Sequence, residues 1–183
     1  MASPYFYEFI LPIRPNLQDE KYDCGAASLR TIVETLGIDV REHILMRLTN
    51  TTPKDGASHT AIVSALELLE IQHEVIPNAS IELVEQKVKM LNLCLVDYEA
   101  WFESKTEFET FDGVHYSVIF GFNSTHFWLA DPSKHRAQIR DPHNLGVRTI
   151  EKELFNSRWI DGYTDRGMVY KKWMVAVPLY QIY

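Results

Sequence analysis

The chain has 183 residues, 46% of them hydrophobic and 23% charged, with eight Gly and eight Pro. That is long enough to enclose an apolar core without disulfide or metal staples, and it excludes fibrous and disordered classes. Eighteen Lys and Arg against 25 Asp and Glu leave a formal net charge of -7, and the basic residues are scattered instead of striped, which argues against nucleic acid as a partner.

A single domain spanning residues 1–183 is expected. The stretch Met1 to Pro15 is interrupted by Glu8 and Pro12 and lacks a basic start followed by an apolar run, so it does not read as a signal peptide. No segment approaches the roughly 18 to 20 apolar residues of a membrane helix. A cytoplasmic protein is therefore expected, with secretion as an effector only by another route. Two cysteines, Cys24 and Cys94, are too few for a disulfide framework or a thiolate zinc site, and neither cofactor nor metal is expected.

In chain order, the Pro-punctuated, aromatic first 22 residues predict an extended arm or edge strand. A helix is predicted from Asp23, placed as N-cap, through Ala26, Leu29, Ile32, Val33 and Leu36, with Gly37 ending it in a left-handed turn. Arg41 to Leu48 reads as a second helix, Thr49 to Ser58 as a surface loop and His59 to Leu69 as a third helix. His73 to Ile76 fits a short strand, and Ile81 to Leu91 a fourth helix. From Leu93 the pattern turns to strands: Leu93 to Tyr98, His115 to Phe122, a turn at Asn123-Ser124, and Thr125 to Asp131. Ser133 to Gly146 and Asp161 to Lys172 read as irregular, with a late helix from Ile150 to Arg158 between them and a terminal strand near Trp173 to Pro178. Helices first and an antiparallel sheet afterwards predict an α+β domain.

Cys24 then falls at a helix N-terminus, where free N–H groups and the helix dipole favour a thiolate. Gln18, six residues earlier, can fold back to set its side-chain amide beside the Cys24 N–H, so that two donors face one oxyanion. His115 heads a strand of high β-propensity that fixes an imidazole on a rigid element. A turn at Asn123-Ser124 would set Asp131 approximately opposite Tyr116, beside His115, where a carboxylate can orient the ring. Nucleophile, base, orienting carboxylate and oxyanion donors are the parts needed to cleave an amide.

These segments resemble the peptidase domains that remove double-glycine leader peptides from bacteriocin precursors, and their free-standing relatives in the papain-like superfamily. Gln18 and Asp23-Cys24-Gly25-Ala26-Ala27-Ser28-Leu29 are similar to the family's oxyanion and nucleophile segment, and Asp55-Gly56 to its next block. His115-Tyr116-Ser117-Val118-Ile119 and Leu129-Ala130-Asp131-Pro132 resemble its histidine and aspartate blocks, and Phe155 to Asp161 a late helix. The resemblance implies a papain-like fold, with the helical half carrying Cys24 packed on a sheet carrying His115 and Asp131. It implies a Cys24, His115, Asp131 triad with Gln18 at the oxyanion, acting on a peptide or protein substrate. No exporter membrane domain or nucleotide-binding cassette is present in the sequence, so the resemblance does not extend to a leader peptide handed over during transport. The N-terminal arm and residues 163–183 have no counterpart in it.

The same four residues also serve glutamine deamidation or acyl transfer, and a fold that kept its cleft without turnover would be a peptide-binding module. Cys94, within the apolar run Leu93 to Val96, reads as a buried hydrophobe. Asp131 has an alternative use as a turn cap before Pro132. His43, His59, His73, His126, His135 and His143 read as solvated or structural, since no pair has zinc-hydrolase spacing and the His135 and His143 loop is only a weak metal candidate, and Trp101, Phe102, Phe108 and Phe111 read as core or as a loop bordering the cleft.

Overall fold

The strand His115–Phe122, buried along its whole length, is the element around which the computed structural model is organised; the structure describes residues 8–100, 114–133, 146–163 and 168–181. The elements in chain order are β1 (Phe9–Ile10), α1 (Cys24–Thr35), α2 (Glu42–Leu48), α3 (His59–Leu68), β2 (Glu74–Ile76), α4 (Ile81–Lys89) and β3 (Asn92–Tyr98). They continue with β4 (His115–Phe122), β5 (His126–Ala130), β6 (Val147–Glu151), α5 (Lys152–Arg158), β7 (Ile160–Tyr163), β8 (Met168–Lys171) and β9 (Met174–Pro178). Helices occupy the first half and antiparallel strands the second, as the pattern of the chain predicts.

Helix α1 ends where Gly37 adopts φ +85°. There the Gly37 and Ile38 N–H groups bond back to the Glu34 and Val33 carbonyls at 3.0 and 2.9 Å, a Schellman closure that a Cβ at Gly37 would strain. Leu29, Ile32 and Val33, fully buried, turn α1 toward the sheet, where it packs across β4. Each such side chain removed from water stabilises the fold by about 1.5–3 kcal/mol.

The main sheet runs β2-β9-β3-β4-β5-β6, and β1 pairs with β4 where β3 leaves off. Gly121 makes that last pairing possible, since a Cβ there would lie 2.8 Å from the Phe9 carbonyl oxygen. The β4–β5 connection differs from the expected one. Its turn is centred on Ser124 and Thr125, with Asn123 N–H bonded to the His126 carbonyl at 3.0 Å and the Asn123 side chain accepting from the Thr125 and His126 N–H groups at 2.9 and 2.8 Å. Side-chain capping by Asn123 thus moves the turn on by one residue. A bulge between Ile119 and Gly121 then shifts the register back by one.

Two further differences lie late in the chain. Ile150 belongs to strand β6 and not to a helix, because Val147–Glu151 completes the edge of the sheet against β5; the helix starts at Lys152. The segment read as irregular from Asp161 to Lys172 contributes the separate two-stranded pair β7–β8. Trp159, fully buried, joins this region to the sheet by donating from its indole Nε1 to the Trp173 carbonyl at 3.0 Å.

Candidate active site

Cys24 is the first residue of α1 and is partly accessible. Asp23 occupies the N-cap position, but its side chain does not cap the helix. It is fully buried and its Oδ2 accepts the Glu20 N–H at 3.0 Å, which corrects the expectation of a capping role. The first intrahelical bond is Ala27 N–H to the Asp23 carbonyl at 2.9 Å. The N–H groups of Cys24, Gly25 and Ala26 therefore have no acceptor within the helix and stand at its positive end, beside the thiol. Gly25 faces protein: a Cβ there would lie 2.9 Å from Ala57 Cβ and 3.2 Å from Tyr116 Cδ2. The Tyr116 hydroxyl donates to the Ala57 carbonyl at 3.1 Å, holding the loop before α3 against the start of α1.

His115 begins β4 and is 1% exposed. Its Nε2 donates to Asp131 Oδ1 at 2.7 Å, while its ring also hydrogen bonds to the Cys24 thiol, for which Nδ1 remains. Burial opposes charge on this imidazole, but the Asp131 carboxylate and then Cys24 outweigh it and raise its pKa to about 9. Asp131 follows β5 directly and is 2% exposed. Burial works against its ionised form too, yet the His115 cation, Arg148 and the Ser133 N–H lower its pKa to about 2. Those last two contacts are Arg148 Nη1 to Oδ2 at 3.1 Å and Ser133 N–H to Oδ1 at 3.0 Å. Asp131 thus accepts the Ser133 N–H across Pro132, the turn-capping contact, as well as the His115 ring.

Gln18 is buried, and its backbone N–H donates to the Pro132 carbonyl at 2.8 Å, tying its loop to the residue after Asp131. One N–H of its side-chain amide donates to the Glu20 carbonyl at 2.6 Å. That bond fixes the orientation of the amide, since swapping its ends would set two carbonyl oxygens together, and it leaves the second N–H available. The structure thus brings the Cys24, His115 and Asp131 side chains into one hydrogen-bonded series and ties the Gln18 loop to it.

Residues 13–164 match the model of the Peptidase C39 family. The chain belongs to this family.

It is accordingly a cysteine peptidase, and solved structures carry the same fold. The peptidase domain of Streptococcus ComA, a bifunctional ABC transporter involved in quorum sensing, is 19% identical with a TM-score of 0.65, covering 90% of this chain and 98% of that one. A putative C39-like peptidase from Bacillus anthracis is 16% identical with a TM-score of 0.67, covering 93% and 97%. A double-glycine motif protease from an AMS/PCAT transporter, solved in complex with a leader peptide, is 15% identical with a TM-score of 0.60, covering 92% and 94%. Comparison of the sequence with curated proteins finds no significant match.

Other titratable groups of this C39 peptidase are placed differently. Cys94 is fully buried in β3, and desolvation pushes its thiol up to about 12, so it acts as a hydrophobe. His59, read from sequence as structural or solvated, stacks on Trp173 with ring centroids 3.9 Å apart and lies 2.7 Å from the buried Asp97 carboxylate. Among the described residues, no group of three or more His, Cys, Asp or Glu is arranged to hold a metal, and no helix is long and apolar enough to cross a membrane. Trp101, Phe102, Phe108, Phe111, His135 and His143 lie outside the described residues. Two residues near the site escape sequence reasoning. Arg148, on β6, completes the Asp131 contacts, and Glu42, at the start of α2, accepts the Asp19 N–H at 3.0 Å.

Proposed function

We propose that the chain cleaves peptide bonds through an acyl-enzyme on Cys24, with His115 as proton carrier, Asp131 as orienting carboxylate, and Gln18 with the Cys24 N–H as oxyanion donors. The observation that carries this reading is the position of the His115 ring, bonded on one side to a buried carboxylate and on the other to the thiol. An imidazole whose pKa is raised to about 9 carries the proton that a leaving nitrogen needs, next to the nucleophilic sulfur.

In the proposed cycle the Cys24 sulfur forms a bond to the substrate carbonyl carbon and the carbonyl oxygen takes up the negative charge. The second Gln18 N–H and the free Cys24 N–H supply its hydrogen bonds. The His115 Nδ1 proton passes to the leaving nitrogen as the C–N bond breaks. Water then gives a proton to His115 and attacks the thioester, expelling the thiolate. The substrate class is an extended peptide, a reading supported by the leader-peptide complex of the double-glycine protease of the same fold.

Digestion of a peptide library, read by mass spectrometry for cleaved chains, lengthened products and released ammonia, tests the proposal. New peptide termini that depend on Cys24 and His115 are expected. Ammonia release or chain lengthening without cleavage would move the same site to deamidation or acyl transfer, and cleavage undiminished in Cys24→Ala or His115→Ala would remove the mechanism.

A further inference from the structure

A second histidine–carboxylate pair stands beside the one already described. On the β3–β4 ladder Tyr98 is opposite His115, and on the next rung Asp97 is opposite Tyr116, so Asp97 and Tyr116 share a face of the sheet. On that face Nε2 of His59, the first residue of α3, donates to Asp97 Oδ2 at 2.7 Å. Leu93, Cys94, Leu95 and Val96, which precede Asp97 on β3, are apolar and fully buried, and Asp97 is equally buried. Burial pushes its carboxyl up, against the pull of the His59 bond. Replacing both partners of such a buried polar pair by apolar groups of similar shape is often neutral or stabilising, so core stability alone gives no reason for a carboxylate here.

What the pair holds is the junction between the nucleophile helix and the strand of the base. The His59 ring stacks on Trp173 with centroids 3.9 Å apart and planes 7° apart. The Tyr116 ring stands edge-on to both, 6.1 Å from each. Tyr116 follows His115 in β4, and its hydroxyl donates to the carbonyl of Ala57, two residues before His59, at 3.1 Å. Gly25 follows Cys24 in α1, and a Cβ on it would lie 2.9 Å from the Ala57 Cβ and 3.2 Å from Tyr116 Cδ2. One run of contacts therefore joins the residue after the base to the residue after the nucleophile, and the His59–Asp97 bond anchors it to β3.

We propose that His59 and Asp97 are positioning residues, whose hydrogen bond fixes the start of α3 and, through Ala57 and Tyr116, the alignment of the Cys24 sulfur with the His115 ring. The inference rests on Cys24 and His115 being the reacting pair. A directional bond sets the place of Ala57 more narrowly than apolar packing does, because its strength falls steeply with misalignment. Misplacing reacting groups by about 1 Å costs on the order of a hundredfold in rate, so a brace that yields by a fraction of that distance is felt in kcat while peptide binding is unchanged.

Peptide-hydrolysis kinetics and thermal unfolding of the full chain test this, comparing wild type with Asp97→Asn, Asp97→Leu and the double variant His59→Phe with Asp97→Leu, each assayed at a temperature where it is folded. The double variant, which keeps a ring against Trp173, is expected to unfold at or above the wild-type Tm. It should nevertheless lose at least about tenfold in kcat with KM within about twofold. Asp97→Asn, which still offers His59 an oxygen, should stay within about threefold of the wild-type kcat. A folded double variant with the wild-type kcat makes the pair a replaceable piece of core and overturns the inference, as does a loss in Asp97→Asn as large as that in the double. Asp97→Leu alone, in which His59 keeps its stack on Trp173, is judged by the same criteria if the double does not fold. Cleavage that survives Cys24→Ala instead removes the reacting pair, and the positioning role with it.

Discussion

Arg148 Nη1 lies 3.1 Å from Asp131 Oδ2, while the other oxygen of the same carboxylate receives His115. Arg148 is about a third exposed and Asp131 is buried, so the guanidinium brings charge from the surface to a carboxylate that burial would otherwise neutralise. Asp131→Asn should lower kcat by roughly a thousandfold by offering His115 the wrong partner. Arg148→Ala should cost only about threefold to tenfold, with Arg148→Lys intermediate. Steady-state kinetics on a cleaved peptide check the order, and equal losses in all three variants would contradict it.

Gln18→Ala should reduce kcat by about a hundredfold, equivalent to roughly 3 kcal/mol of transition-state stabilisation, with KM little changed. Its thiol should still react with iodoacetamide as in wild type, since Asp131 and Cys24 are the groups that raise the His115 imidazole. Loss of alkylation along with turnover would show that the loop supports Cys24 and not the oxyanion.

The His115–Asp131 pair gives a signed pH dependence of stability. His115 is raised from 6.5 to about 9, so its contribution is complete below pH 6.5 and is lost as pH rises through 9. Asp131 is lowered from 3.8 to about 2, so its contribution is complete above pH 3.8 and is lost as pH falls through 2. The Tm difference between wild type and His115→Ala should therefore be largest between about pH 4 and 6.5. It should shrink through pH 9. A difference that grew with alkalinity would contradict the pairing.

Gly146 sits at φ +88°, and a Cβ there would run into the Asp131 carbonyl oxygen and lie 2.9 Å from Leu17 Cδ2. The Gly146 carbonyl also accepts the Asp131 N–H at 2.7 Å. Gly146→Ala should cost about 2 kcal/mol of stability through backbone strain and lower kcat through the displaced carboxylate. Calorimetry with parallel kinetics checks both, and Gly37→Ala, whose Cβ meets nothing within 4 Å, should lower stability without touching kcat.

Much of this architecture was readable where local pattern and tertiary environment agree. The run His115 to Phe122 is a strand from end to end because its β-branched and aromatic residues suit a fully buried position. Helix α1 follows from its apolar spacing and Gly37. Where the two disagree the pattern misleads. Ile150 and Leu154 stand four apart, as on a helix face, yet Ile150 is committed to β6 by pairing with Phe127. Gly162 and the charges after it break the alternation that would have marked β7 and β8. At the site, Cys24, His115, Asp131 and Gln18 stand in motifs with chemical meaning. Arg148 and Glu42 do not, because a charged residue reads the same in sequence whether it is solvated or turned inward onto a buried group.

Strand β9 enters the sheet between β2 and β3, with Met174, Val175, Ala176 and Val177 essentially without exposure. The central ladder that carries His115 is therefore flanked on one side by β3, whose outer edge stays bare until residues 174–178 arrive. A chain halted or cut before that point holds every group of the proposed chemistry and still presents open, sticky strand edges.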